Sequence, residues 1–333
     1  MTQLCGFPPN VLAAVAMFLI TALYLTFWQV TDLDLPHVMR RVSFSKDTDA
    51  YTIVIATFRR DSCLKLSILH YLTCNPQELR VKWQDFKRPL PRWLRQVQGK
   101  YSERLVIDVA DGDYLSSRFK LSDLKTSAIF PVDDDVRHSC AYMREAFRMW
   151  QRRPRKVFGF APRHVQKGGC YRYWGSYAHL YYPFSNTVWV TKGAFLHRDY
   201  LKEYFSQKYD SLRKLVDGNT TGEDMLMTFV VALSNPPGER WPVVLYSRSW
   251  PGDKTCSNRA LSKTPVHTMR CPMLRHFQEV LGFPLELSPW SEFYLFEDDV
   301  ETFVPFSQSG SGHWAMPWYP LRMYWRVRVF SAV

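Results

Sequence analysis

The sequence has little of what fixes an architecture outright. Its 333 residues hold no internal repeat and no low-complexity tract, which excludes solenoids, propellers and fibrous arrays. Cysteine is scarce, at seven residues, and says little about the compartment. A chain of this length with 46% apolar residues can bury a core as one large or two intimate domains, without a disulfide scaffold. Acid is the minority charge: 31 Asp and Glu stand against 43 Lys and Arg, a balance of +12. That suits a partner bearing phosphates, sulfates or anionic headgroups, or a plain solvated basic surface. No nucleic-acid-binding motif accompanies the charge, which argues against a nucleic-acid partner.

Charged residues are missing altogether from Val11 to Val30, where only Thr21, Thr26 and Gln29 are polar. The run is long enough to cross a bilayer as a helix. It ends in "LYLTFWQV", without the small residues of a cleavage site, so the expectation is a retained signal anchor. Residues 1–10 then form a short cytosolic tail and 31–50 a polar stem. No Lys or Arg precedes the span, and Arg40 and Arg41 follow only beyond Asp32 and Asp34, so the positive-inside rule gives no orientation.

From Tyr51 the pattern alternates. "YTIVIATF" is an apolar, β-branched run of strand length, and an Asp61-led helical pattern follows through "LKLSILHYL". "LRVKWQ", "RLVIDVA" and "AIFPV" repeat the strand theme, with a helix in "AYMREAFRMWQRR". Such alternation predicts an α/β fold whose mostly parallel sheet is covered by helices, with ligands at the carboxyl ends of the strands. After "KVFGFAPR" an aromatic stretch suggests a second lobe. Within it "NTVWVTKGAFL" reads as strand, "HRDYLKEYF" and "EDMLMTFVVAL" as helices, and Trp250 to Thr268 as loop. The tail 301–333 has no assignable pattern.

Asp133, Asp134 and Asp135 follow the predicted strand "AIFPV". Three adjacent carboxylates repel, and a helix cap needs only one, so the cluster is expected to hold a hard divalent cation. Asp111 and Asp113 flank Gly112 after another apolar run and are a rival cluster, though Asp-Gly is also a turn signal. Glu223 and Asp224 open a helix, either as paired carboxylates for catalysis or as first-turn acids, with Thr221 and Asp224 at capping-box spacing. Arg59, Arg60 and Arg118 sit in turns near strand ends, suited to a diphosphate. Cys63 and Cys74, about 16 Å apart on one helix, are too distant to pair. Cys256 and Cys271 flank a loop and are the expected disulfide. Asn219 begins a glycosylation triplet with Thr220 and Thr221. The rings from Tyr171 to Phe184, Trp174 and Tyr177 above all, could stack on an acceptor sugar or serve as core.

The segments "IATFRR", "DYLSSRFKLSDLKTSAIFPVDDD", "KVFGFAPRHV", "KGAFLHRDYL" and "GEDMLMTFVVA", in this order over about 220 residues, resemble the exostosin-like glycosyltransferase domain. The likeness leans toward the short plant-type members implicated in sphingolipid glycosylation. It implies a GT-A fold over residues 51–300 and a single-pass anchor in the Golgi or endoplasmic reticulum membrane, with the catalytic domain lumenal. It also implies retaining, Mn²⁺-dependent transfer of N-acetylhexosamine (GlcNAc or GalNAc) or a related sugar from a UDP donor. The implied acceptor is a glycosyl inositol phosphorylceramide-type glycolipid. The alternatives are a heparan-type polysaccharide or linker oligosaccharide, or a weakly catalytic UDP-sugar-binding membrane protein, and homo- or hetero-oligomers stay open.

Carried over by position, Asp135 becomes the principal metal ligand, with Asp133 and Asp134 beside it facing the ribose and donor sugar. Asp113, Ser117 and Arg118 lie along the nucleotide, Arg60 near the diphosphate and Asp85 near the uracil. Glu223 and Asp224 lie by the anomeric carbon or acceptor hydroxyl. The sequence departs from the family pattern at Ser116 and Ser117, where two Asn are common, and at Gly222, where a Cys is usual. It also carries Thr268 in place of an Arg, with Arg270 as the candidate substitute. Cys271, retained from the family, then requires Cys256 as a new partner.

Overall fold

The computed structural model describes residues 50–112, 114–160, 162–166, 170–172, 186–189, 191–236, 239–247, 265–283, 293–297 and 328–331. The expected anchor, Asp113, Trp174, Tyr177 and Cys256 lie outside them. Among the described residues no helix is long and apolar enough to cross a membrane.

The first half is a run of parallel crossovers. β1 (Tyr51–Thr57) leads through α1 (Asp61–Thr73) to β2 (Glu78–Trp83), then through α2 (Arg92–Lys100) to β3 (Leu105–Val109). A 3-10 turn (Leu115–Phe119) leads into β4 (Ala128–Asp133), followed by α3 (Cys140–Gln151). β1 is buried along its whole length because parallel partners flank it on both edges, which is why it reads as an unbroken apolar run. β5 (Phe158–Gly159), β6 (Pro162–Gln166), β7 (Cys170–Arg172), β8 (Asn186–Trp189) and β9 (Ala194–His197) follow. Then come α4 (Asp199–Tyr204), α5 (Asp210–Asn219), α6 (Glu223–Ser234), β10 (Val243–Ser247), α7 (Pro265–Leu281), β11 (Phe293–Glu297) and β12 (Arg328–Ser331).

Nine strands form one sheet in the order β12-β11-β10-β5-β9-β4-β1-β2-β3, parallel except where β9 runs against β4 and β5. β6, β7 and β8 form a small antiparallel sheet. Chain order reverses at the β1/β4 pair: β2 and β3 add to one side of β1, β4 to the other. The carboxyl ends of β1 and β4 therefore flank the crevice where open α/β sheets bind ligands. Alternation along β4 divides the core, with Ala128, Phe130 and Val132 facing the cluster under α1 and α3. Ile129 faces the cluster that includes residues of α4, α5, α6 and α7.

Several expectations change. The "NTVWVTKGAFL" segment is two strands, β8 and β9, separated by Gly193 at φ +107°. A Cβ there would stand 2.3 Å from His138 Nε2, so the close approach requires glycine. Residues 265–268, expected as loop, begin α7, and 328–331, within the unassigned tail, form the edge strand β12. The strands after residue 156 mostly extend the first sheet, so the second lobe reduces to the small three-stranded sheet. Cys271 pairs with Cys170, not Cys256, because β7 packs along α7 with the two Cα atoms 4.5 Å apart. Cys74 bonds Cys140 rather than Cys63, as the helical rise requires.

Candidate active site at the β1/β4 switch point

Register sets Ala56 of β1 beside Asp133 of β4, so the residues just after both strands meet. Asp134 is fully buried, and Thr57 at the end of β1 donates to its Oδ2 at 2.6 Å. Ser67 of α1 donates to the Asp134 carbonyl at 2.7 Å. Arg60, in the turn between β1 and α1, ion-pairs Asp134 and reaches Asp135 Oδ2 with Nη1 at 3.0 Å. Burial pushes the Asp134 carboxyl up to about 7, against the pull of Arg60 and the Thr57 bond and with added repulsion from Asp135 and Asp133.

Arg118 sits in the buried 3-10 turn and forks. Its Nη2 donates to Asp133 Oδ1 at 2.7 Å and its Nη1 to Glu223 Oε1 at 2.9 Å. Burial opposes the guanidinium charge, but Asp133 and Glu223 outweigh it and raise the pKa above the usual arginine value. Thr191 also donates to Glu223 Oε1, at 3.5 Å. Asp133, Arg118 and Glu223 thus form a continuous bridge from the end of β4 to the start of α6.

The capping box does not form. Gly222, the residue before α6, is left-handed at φ +93°, and the Thr221 hydroxyl accepts from Arg270 Nε at 3.1 Å. Asp224 Oδ1 instead accepts the N–H of Met225 at 2.8 Å. Burial raises both acids, Glu223 further by repulsion from Asp224 and against the pull of Arg118. Asp224 is opposed first by Arg270, then by the Met225 N–H, Arg118 and Arg163. Arg270 therefore reaches the acid pair from α7 although it stands two residues away from the family's arginine position.

The remaining expected residues are placed as follows. Asp85, after β2, is buried and accepts from Arg59 Nε at 2.9 Å, with Arg88 Nε 3.5 Å away. Arg88 also covers the Trp83 ring at 4.5 Å, making a cationic and aromatic corner one strand from the switch point. Ser117 is fully buried, and Gln84 Nε2 donates to its hydroxyl at 3.5 Å. Asp111, of the rival cluster, is exposed and ion-pairs Lys120 with a bond from Tyr114, apart from the triplet. Asn219 ends α5 with its Nδ2 donating to Leu215 O at 2.8 Å. Sequence reasoning missed Thr191, Arg163 and Asp217, none of which carries a local signature. Asp217 accepts both the backbone N–H and the hydroxyl of Ser116, at 2.8 and 2.7 Å.

The donor set suits a hard cation. Asp135 Oδ1 is shielded from solvent and has no hydrogen-bond partner among the described residues, and carboxylate oxygens are the ligands that Mn²⁺ or Mg²⁺ prefers.

Residues 51–291 match the family model described as Glycosyl transferase family 64 domain. The chain is 30% identical over 211 residues to glycosylinositol phosphorylceramide mannosyl transferase 1 of Arabidopsis thaliana, covering 59% of this chain and 62% of that protein. It is 27% identical over 193 residues to Exostosin-like 2 of Homo sapiens, covering 55% and 58%. The match thus spans about six-tenths of the length of these relatives. A mannosyltransferase from Pyrobaculum calidifontis, solved with GDP-Man and Mn²⁺, aligns over 82% of this chain and 83% of its own at 11% identity. Its TM-score of 0.42 is too low to bear on fold or chemistry.

Proposed function

The chain belongs to glycosyl transferase family 64, and from that premise we propose that it moves a sugar from a nucleoside diphosphate donor to a glycan or glycolipid acceptor with retention of configuration. The observation that carries this reading is the acidic triplet at the switch point, paired with Arg60 and linked through Arg118 to Glu223 of a facing acid pair. A UDP-N-acetylhexosamine donor and a glycosyl inositol phosphorylceramide-type acceptor remain the proposed substrates. A plant relative named as a mannosyl transferase makes GDP-mannose the donor to test beside them.

Asp135, through its unpartnered oxygen, and Asp133 would hold Mn²⁺, which when bound supplies Lewis-acid neutralisation of the departing diphosphate. Arg60 and Arg118 lie where they can take up charge on the same phosphates, since both already face the triplet. Asp85, with Arg59, Arg88 and Trp83, would flank the nucleobase. Of the acid pair, Glu223 is committed to Arg118 and Thr191, whereas Asp224 is the less buried. Asp224 is therefore assigned to the anomeric carbon or the acceptor hydroxyl, either as the carboxylate of a covalent intermediate or as the stabiliser of an ion-pair-like state, and Glu223 to its support.

The deciding experiment incubates purified protein with Mn²⁺ and UDP-GlcNAc, UDP-GalNAc or GDP-mannose, with and without glycolipid and oligosaccharide acceptors, and measures nucleoside diphosphate release. Acceptor-dependent release from one donor is expected. No release from any donor, together with no nucleotide uptake in calorimetry with or without Mn²⁺, would overturn the reading.

A further inference from the structure

The Arg118 fork stands on a short support. The 3-10 turn that carries it has five residues and no side-chain cap, and its ends are closed by backbone bonds from Ser117 N–H to Tyr114 O at 3.2 Å and from Lys120 N–H to Ser117 O at 2.9 Å. Single turns of this kind are weak by themselves, so tertiary ties must fix the position. Two ties reach across to the corner between α5 and α6. One is Arg118 to Glu223; the other is the Asp217 carboxylate, which takes the Ser116 N–H on one oxygen and the Ser116 hydroxyl on the other. Behind them, Phe119 packs edge-on against Tyr204 at 5.1 Å, so the turn is buried on its far side as well.

We propose that Asp217 is a positioning residue for the transfer reaction: its two-bond latch on Ser116 sets the 3-10 turn so that Arg118 reaches Asp133 and Glu223 at once. The inference rests on the proposed transferase activity. It also accounts for the chain's serine at position 116. A hydroxyl hydrogen-bonded to Asp217 is turned to the α5–α6 corner, and the turn is held by that corner rather than by a longer side chain reaching for the donor. Without the latch the Ser116 N–H loses its acceptor, and of the two ties to the α5–α6 corner only the Arg118 ion pair with Glu223 is left. A displacement of about 1 Å in such a group costs on the order of a hundredfold in rate in other sites.

Asp217→Ala removes both bonds. Asp217→Asn can keep both, its carbonyl accepting the N–H and its amide donating to the Ser116 hydroxyl. The expected result is a fall in donor kcat/KM of about tenfold or more for Asp217→Ala, with acceptor KM within about twofold, and near wild-type values for Asp217→Asn. Amide hydrogen exchange at residues 115–119, which needs no substrate, should quicken about tenfold in Asp217→Ala and not in Asp217→Asn. Ser116→Ala, which removes the hydroxyl bond alone, should fall between and keeps the test open if Asp217→Ala does not fold. The inference is overturned if Asp217→Ala keeps donor kcat/KM within about twofold, or if Asp217→Asn falls as far as Asp217→Ala. Should wild type show no turnover on any donor, the transferase reading fails by itself, and unchanged exchange in Asp217→Ala would then overturn the latch separately.

Discussion

Each member of the acidic triplet has a different environment, and the differences assign separate work to adjacent residues. Asp134 is fully buried and held by Thr57, Ser67 and Arg60, so it anchors the loop to β1 and α1. Asp135 shares Arg60 but keeps one oxygen without a hydrogen-bond partner among the described residues, and Asp133 faces Arg118. Asp135→Ala should therefore abolish metal-dependent transfer and leave the melting temperature within a few degrees, checked by nucleotide release beside thermal unfolding. Asp134→Ala should lower stability by about 3 kcal/mol or more, because Arg60 and Thr57 lose a buried partner; denaturant unfolding reads that difference. Glu223 gives a pH signature. Its folded pKa lies above the ordinary glutamate value of about 4.3, so between the two the folded state binds more protons than the unfolded. Stability contributed by the protonated form is present below the unfolded pKa and is lost as pH rises through the folded value. Glu223→Gln should flatten the decline in melting temperature over about pH 5 to 8; a slope equal to wild type would remove Glu223 as its source.

The elements show why some of this was legible in the sequence and some was not. β1, α1, β4 and the triplet could be read because a central parallel strand is apolar on both faces and because three adjacent acids are costly unless used. β2 hid its role: its Glu78, Arg80 and Lys82 look solvent-facing in sequence, yet all are buried under the connection from the 3-10 turn to β4. Arg80 binds Glu78, Asp108 and the Asp123 carbonyl, and Lys82 binds the Lys120 carbonyl. The missed Asp217 lies near the end of α5, and a carboxylate there has no pattern that names a partner 101 residues earlier. The disulfide was misassigned for a related reason. The loop between Cys256 and Cys271 suggested a local pair, whereas the Cys170 partner is 101 residues from Cys271 and is brought near only by β7 packing on α7. That bond anchors the helix end carrying Arg270, which reaches Thr221 beside the acid pair. Cys271→Ser should lower stability by about 2–4 kcal/mol and should reduce transfer more than nucleotide affinity, since Arg270 faces Asp224, the residue proposed for the transfer step. Equal losses in the two measurements would count against that division.

At the scale of the whole molecule, the site joins two halves of the chain that the sheet alone does not hold together there. Arg60, Arg118 and the triplet come from the first crossovers, while Glu223, Asp224 and Arg270 come from α6 and α7, and Arg118 ion-pairs Glu223 directly across the gap. The arginines serve as counter-ions to the acids, so part of the site's electrostatic strength is spent internally. A nucleotide and cation bound at the proposed site would supply charge of both signs to the same groups and touch both halves, so binding to the folded state should be coupled to global stability. For ligand at a hundred times its dissociation constant the gain is about 2.7 kcal/mol, which at about 2–4 °C per kcal/mol for a domain of roughly 150–250 residues is a rise of about 5–11 °C in melting temperature. UDP with Mn²⁺ should give this shift in wild type, UDP alone a smaller one, and Asp135→Ala should respond equally weakly with and without the metal. An undiminished, metal-dependent shift in Asp135→Ala would move the cation away from β4, and with it the assignment of the switch-point crevice as the donor site.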